Sequence, residues 1–267
     1  MSDYTDIEVE IDDPVAIIRL NRPEKLNAFT YHTLAEIRAA IDAAATDVRV
    51  VGIVITGNGR GFCAGLDSQV LASVTGSGAR STIAPSAALP GIFSYLLEVP
   101  KPIIAAVNGV AAGGGVILAL MSDLRIASHA ASFTTVFLKR GLIAEHGSSW
   151  LLPRLVGVGR ALDLLWMSDK IDAAEAHRIG LVEKLVEPDA LLTVACDYVK
   201  RLAVTVAPAA IAETKKLVYR HLGVGYVDAL READRSQNAF VASSDAAEGA
   251  RALIEKRAPM FKRLGEQ

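Results

Sequence analysis

Short apolar runs recur along the first two-thirds of the chain, each bounded by Gly, Pro, Asn or Asp. Ile7–Ile11 and Val15–Leu20 read as strands around an Asp12-Asp13-Pro14 turn. Thr30 is an N-cap residue ahead of a helix whose Leu34, Ile37, Ala40 and Ile41 share one face. Val50–Thr56 has the length and continuity of a buried strand. Residues 73–91, rich in Ser, Gly, Ala and Pro, read as a mobile loop before a helix near Ile92–Leu97. Ile103–Val107, Leu124–Ala127 and Val182–Val186 supply further strands, each beside a helical run, and this alternation predicts an α/β core. After Pro188 the pattern turns helical. Ala190–Val204, Pro208–Leu222 and Val227–Ser243 each carry one apolar face, and the tail Ile254–Lys262 is basic and amphipathic. No internal repeat is evident.

Composition narrows the function classes. A net charge of −2 argues against bulk electrostatic binding of nucleic acid, while leaving room for a local basic patch facing a phosphate. The longest apolar candidate for a membrane span, Ile103–Leu120, is broken by Asn108, Gly109 and Gly113 to Gly115. Cys63 and Cys196 form no CxxC pair and the first residues are polar, so the expectation is a soluble cytoplasmic protein with reduced thiols. His32, His129, His177 and His221 show no ligand spacing, and no metal site is expected.

The most informative stretch is Asn108-Gly-Val-Ala-Ala-Gly113-Gly114-Gly115-Val-Ile117, lying between two apolar segments. It reads as a buried strand, a turn and a helix that starts at bare glycines. Glycine admits a ligand close to the main chain, and a helix start leaves N–H groups without partners. Such donors, reinforced by the helix dipole, can hold an oxygen that gains negative charge. A second glycine loop, Gly61-Phe-Cys-Ala-Gly65-Leu66-Asp67, follows the Val50–Thr56 run.

These two loops, with Asn21-Arg-Pro-Glu-Lys-Leu-Asn-Ala28, closely resemble the crotonase (enoyl-CoA hydratase/isomerase) superfamily. Pro100–Gly109, Ser122–Ala127, Leu152–Gly157 and Ala173–Val182 extend the resemblance over most of the chain. The resemblance implies a spiral of strand–strand–helix turns over residues 1–188, holding an acyl-CoA site, and a helical trimerisation region over 189–267. It implies an acyl-CoA substrate, with coenzyme A as part of that substrate and no separate cofactor. It also implies a partner in the chain itself, as a trimer or a dimer of trimers.

Carried over motif by motif, the oxyanion donors are the main-chain N–H groups of Leu66 and Gly114. Lys25 and Ala64 fall where the family contacts CoA, and Phe261 and Lys262 lie in a tail that reaches a neighbouring subunit's CoA. Two glutamates are expected in a hydratase; here those positions are Ile117 and Phe137, which cannot exchange protons and, with Trp150, are candidates to line an acyl pocket. Glu145 coincides with an acid/base or nucleophilic aspartate position used elsewhere in the superfamily. A carboxylate sheltered in an apolar pocket suits proton exchange beside a thioester. The competing role for Glu145 is a helix-start acid favoured by the dipole. His146, Asp67 and Asp123 read as structural residues.

An isomerase or lyase is therefore the leading expectation, and a non-catalytic acyl-CoA binder the alternative. A dinucleotide-binding oxidoreductase, suggested by Gly57-Asn-Gly59-Arg-Gly61, is disfavoured because its third glycine would fall at Phe62.

Overall fold

The computed structural model describes residues 4–74 and 90–266. Most of the loop expected over 73–91 lies outside the described residues. In chain order the elements are β1 (Ile7–Asp12), β2 (Val15–Leu20), α1 (Tyr31–Thr46), β3 (Gly52–Gly57), β4 (Gly61–Cys63), α2 (Ser68–Val74), β5 (Ile103–Val107), β6 (Val110–Ala112), α3 (Gly114–Met121), β7 (Leu124–Ser128), β8 (Ser132–Thr134), α4 (Ser148–Val156), α5 (Val158–Met167), β9 (Ile171–Asp172), α6 (Ala173–Arg178), β10 (Lys184–Val186), α7 (Leu191–Thr205), α8 (Pro208–His221), α9 (Tyr226–Val241) and α10 (Ser244–Glu255).

Two sheets organise the core. The larger runs β1-β2-β3-β5-β7-β10, with β1 antiparallel to β2 and every later pairing parallel. The smaller runs β4-β6-β8-β9, with β4, β6 and β8 parallel and β9 antiparallel. Side chains alternate across a strand, so Ile53, Ile55, Ile103 and Ala105 enter the main core between the sheets. Val54, Ile104 and Ala106 point to the opposite face, where Leu191, Ala195, Cys196 and Val199 of α7 cover them. Thus α7, expected among the oligomerisation helices, closes the outer face of the large sheet.

Thr30 caps α1 as expected, and reciprocal bonds with Thr33 complete a capping box. Three local expectations change. The strand expected from Val50 begins at Gly52, because Val51 and Gly52 first bond the Pro14 carbonyl. The helix expected near Ile92–Leu97 is a 3₁₀ turn at Ser94–Glu98. The region after Ser243 forms one more helix, α10, before the tail.

Helix α8 is docked on the core by a buried ionic contact. Lys215 donates to Asp123 at 2.8 Å and to the carbonyls of Leu96 and Lys101, while the Tyr219 hydroxyl donates to the other Asp123 oxygen. Burial lowers the Lys215 pKa, and Asp123 offsets that in part.

Candidate active site

The site begins where β4 and β6 end. These strands are parallel neighbours, with Gly61 opposite Val110 and Cys63 opposite Ala111. Their following loops therefore emerge side by side, at the strand ends where open α/β sheets take ligands. Gly65 and Gly114 meet there: a Cβ on Gly65, whose φ is +87°, would lie 3.0 Å from the Gly114 nitrogen and 2.7 Å from the Ala112 carbonyl oxygen. Only glycine fits that conformation and contact. Behind them, a Cβ on Gly115 would sit 1.9 Å from the Cys63 carbonyl oxygen, so α3 is pressed directly against β4.

Two main-chain donors are left open. Phe29 forms an isolated parallel bridge with Leu66, in which Phe29 N–H donates to Gly65 O and Asp67 N–H donates to Phe29 O. The flanking residues are thus paired while the Leu66 N–H turns away from Phe29. Gly114 is the first residue of α3, so its N–H has no intrahelical acceptor. Among the described residues neither N–H has a main-chain partner. Two such donors from adjacent loops suit an oxygen that becomes negative.

A clamp built on Asn27 and the Arg22–Asp67 pair holds this cradle. Asn27, 1% exposed and at φ +57°, donates to the carbonyls of Asn58 and Gly61 and accepts from Arg22 N–H. Ala64 N–H donates to Leu26 O. Arg22 pairs with Asp67 at 3.1 Å, and Asp67 accepts from Gln69 N–H at the start of α2. That main-chain bond, then Arg22, hold the Asp67 carboxyl below the usual carboxylate range. The asparagine at 27 and the Arg22–Asp67 pair are the signal that could have found the clamp.

Around the cradle, the ring of Phe137 would lie 3.9 Å from a Cβ on Gly113. Ile117 sits one turn along α3 from Gly114 and is fully buried. Glu145 lies on the turn before α4, its side chain about one-third exposed at 32%, with the His146 Nε2 at 3.4 Å. The turn is unusual: His146 and Gly147 both have positive φ, and the Ser148 N–H and hydroxyl both donate to Glu145 O. Burial lowers the His146 pKa, which Glu145 partly opposes. The segment Gly91–Ile92 links this turn to the cradle: a Cβ on Gly91 would be 3.7 Å from the His146 Cα, and one on Gly114 3.5 Å from the Ile92 Cδ1.

Residues 10–264 match the enoyl-CoA hydratase/isomerase family. The chain belongs to that family. It is 36% identical over 266 residues to a crotonyl-CoA hydratase of Syntrophomonas wolfei, covering 97% of this chain and 98% of that protein. It is 32% identical over 253 residues to the 1,2-epoxyphenylacetyl-CoA isomerase of Escherichia coli K12, covering 94% and 96%. The crystal structure of an enoyl-CoA hydratase from Bacillus anthracis superposes with a TM-score of 0.89 at 30% identity, covering 98% of this chain and all of that one. The two-sheet core followed by helices is thus the crotonase fold, and the chain is an enzyme of the crotonase superfamily.

Within this enoyl-CoA hydratase/isomerase chain, the candidate site residues do not all lie together. Leu66, Gly114, Ala64, Phe137 and Ile117 gather at the cradle. Trp150 lies elsewhere, in a cleft of about 880 Å³ beside Met121 and His146, so it does not share a pocket with Ile117 and Phe137. Lys25 is exposed at the end of a 3₁₀ turn, close enough to Asp67 to act on its charge. The tail goes to the other end of the sheet: Arg263 donates to Asp13 and to the Arg49 carbonyl, and Phe261 packs near Gly249. Asp13 precedes β2 and Lys25 follows it, so Phe261 and Lys262 do not approach their own chain's Lys25. Glu145 also departs from expectation, since its side chain is not sheltered in an apolar pocket.

The oxidoreductase alternative fails structurally, because Gly57–Gly61 leads into β4 and not into a helix. Among the described residues no group of His, Cys, Asp and Glu could hold a metal, and no helix is long and apolar enough to cross a membrane.

Proposed function

We propose that this chain is an acyl-CoA isomerase that moves a proton between carbons of a thioester-activated acyl group. The open N–H groups of Leu66 and Gly114 hold the thioester oxygen as charge develops on it. Glu145 takes the proton from one carbon and returns it to another, so no water is added and the carboxylate is regenerated. The observation that carries the reading is the apolar pair Ile117 and Phe137, 0% and 5% exposed beside the cradle, at the positions where the family resemblance places a hydratase's two glutamates. The E. coli relative named as an isomerase supports the same reading. CoA enters as part of the substrate, with Lys25 and Ala64 on its path and no separate cofactor.

Assembly as a trimer or dimer of trimers belongs to this reading. Leu253, Ile254 and Met260 are 80%, 81% and 83% exposed, an apolar surface that a second copy would cover.

The test compares two reactions and one variant. Double-bond migration in a β,γ-enoyl-CoA should outrun crotonyl-CoA hydration by orders of magnitude. Glu145→Gln should lower that migration by about 10²–10⁴ and leave acyl-CoA affinity intact. Brisk hydration by the native protein, or full activity in the variant, would sink the proposal.

A further inference from the structure

Glu145 and His146 are neighbours in the chain, and the tips of their side chains are also neighbours in space. The His146 Nε2 lies 3.4 Å from a Glu145 carboxylate oxygen, with the two side chains 31% and 32% exposed. In extended backbone, adjacent side chains point to opposite faces. Here His146 has φ +50° and Gly147 φ +84°, and the chain turns sharply between them. A Cβ disfavours that conformation, and such backbone persists only where its surroundings hold it.

The surroundings of His146 do hold it. The Ser148 N–H and hydroxyl both donate to the Glu145 carbonyl. A Cβ on Gly147 would lie 2.8 Å from the Met121 Cε, and one on Gly91 would lie 3.7 Å from the His146 Cα. The pair is thus seated between the end of α3 and the Gly91–Ile92 segment that reaches Gly114.

The charge on the imidazole decides what it does to the carboxylate. A neutral ring leaves Glu145 its proton affinity. A protonated ring sets a positive charge 3.4 Å away, and a cation that close lowers the pKa of a carboxylate by about 1–3. A weaker base takes a carbon-bound proton more slowly. Burial lowers the His146 pKa from 6.5, with Glu145 opposing, so the ring is neutral at neutral pH and gains its charge on acidification. The other titratable groups facing it across the cleft are Glu98 from the 94–98 turn and Glu213, Lys215, Lys216, Tyr219 and Arg220 from α8. Lys215 is paired with Asp123, Lys216 with Glu213 and Arg220 with Glu232, and the charge that acts on the imidazole is that of Glu145.

We propose that His146 is a positioning residue that sets the strength of Glu145 as a base. The neutral ring leaves the carboxylate active, and the protonated ring holds it in an ion pair and slows proton transfer. His146 exchanges its own proton with solvent and none with the substrate, so the proton balance of the isomerisation is unchanged. This rests on the Glu145 reading above and adds control of that same site by acidity.

The experiment measures kcat/KM of the full chain for β,γ-enoyl-CoA isomerisation from about pH 8 to about pH 4, a range that spans both groups. The native profile should fall in two steps on acidification, as a coupled pair does. The first, centred below 6.5, should be a partial loss of about threefold to thirtyfold, and the second a full loss as the carboxylate is protonated. His146→Asn cannot ionise and tolerates positive φ, so it should show the second step alone. His146→Arg sets a permanent cation beside Glu145 and should hold the rate at the lower level throughout. A single step in the native profile would overturn the proposal without any variant having to fold. So would a first step that survives in His146→Asn, which would assign it to another group. Native-rate isomerisation by Glu145→Gln would instead remove the base, and this control with it. A single-step native profile beside an inactive Glu145→Gln would leave Glu145 as the base and remove His146 alone.

Discussion

The cradle at Gly65–Gly114 and the turn at Glu145–His146 are linked by Gly91–Ile92 but are held in different ways. The cradle acts through main-chain N–H groups, so its geometry is set by β4 and β6 and by the contact of α3 on Cys63. The Leu66 side chain takes no part in that donation and packs, partly buried, against the core. The Glu145 turn offers a side chain about one-third exposed, on a segment whose shape depends on two consecutive positive-φ residues. In the proposed mechanism, polarisation of a thioester is thus tied to the fold, whereas proton transfer depends on a few substitutable residues. Under the proposed reading, one scaffold keeps the first function and changes the second, with Ile117 and Phe137 as the altered positions.

The largest effect expected of this contrast separates a lost donor from a lost shape. Both Gly114→Ala and Gly114→Pro place a Cβ 2.4 Å from the Phe29 ring, so both force that ring to move. Only proline also removes the N–H, at a helix-start position whose φ it can adopt. Turnover by the proline variant should fall about 10²–10³ below that of the alanine variant. Equal rates for the two would mean that Gly114 serves close packing and the oxyanion donor lies elsewhere.

Asn27→Ala probes the clamp and should act on stability before rate. It removes three hydrogen bonds from a position 1% exposed and puts a Cβ-bearing residue without a compensating side chain at φ +57°. The Gly61 carbonyl keeps one donor in Asn108, so the loss should be about 2–3 kcal/mol by denaturant titration. Asn27→Gly restores the backbone freedom but not the bonds. If it recovers most of the loss, the clamp is conformational, and the hydrogen bonds matter less than the left-handed turn.

The same contrast explains what the sequence showed and what it hid. The long parallel strands are readable as continuous apolar runs, and α1 by its one-faced period and its Thr30 cap. Strands β4, β6, β8 and β9 were not, because they are two or three residues long and pair across large separations, Gly61 with Val110 and Phe133 with Ile171. An alternating pattern has no room to show in three residues. The glycines of the cradle stood out, yet the reason they adjoin is the pairing of those short strands. The cleft was invisible for a similar reason: it draws residues from Pro90 to Leu264, and α10, which extends the helical layer, was not anticipated. The position of Glu145 is legible from the resemblance, but its exposure depends on the left-handed backbone at His146, which nothing in a His-Gly dipeptide requires.

The smallest expected effect concerns how far the Glu145 turn is removed from water. Burial lowers the His146 pKa from 6.5, against the opposing pull of Glu145. Other charged groups facing the same cleft are Glu98, Glu213, Lys215, Lys216 and Arg220. Between the lowered folded value and 6.5 the unfolded chain binds more protons at this position than the folded one, so stability rises with pH across that window and falls on acidification. Carboxylates held below their usual range, such as Glu36 and Asp67, begin to cost stability only below 4.5 and 3.8, so the two effects separate on the pH axis. His146→Gln should flatten the change in melting temperature from about pH 7 to about pH 5. An unchanged slope in the variant would mean that the His146 ring is solvated, and that the turn carrying Glu145 is as open to water as its exposed side chain suggests.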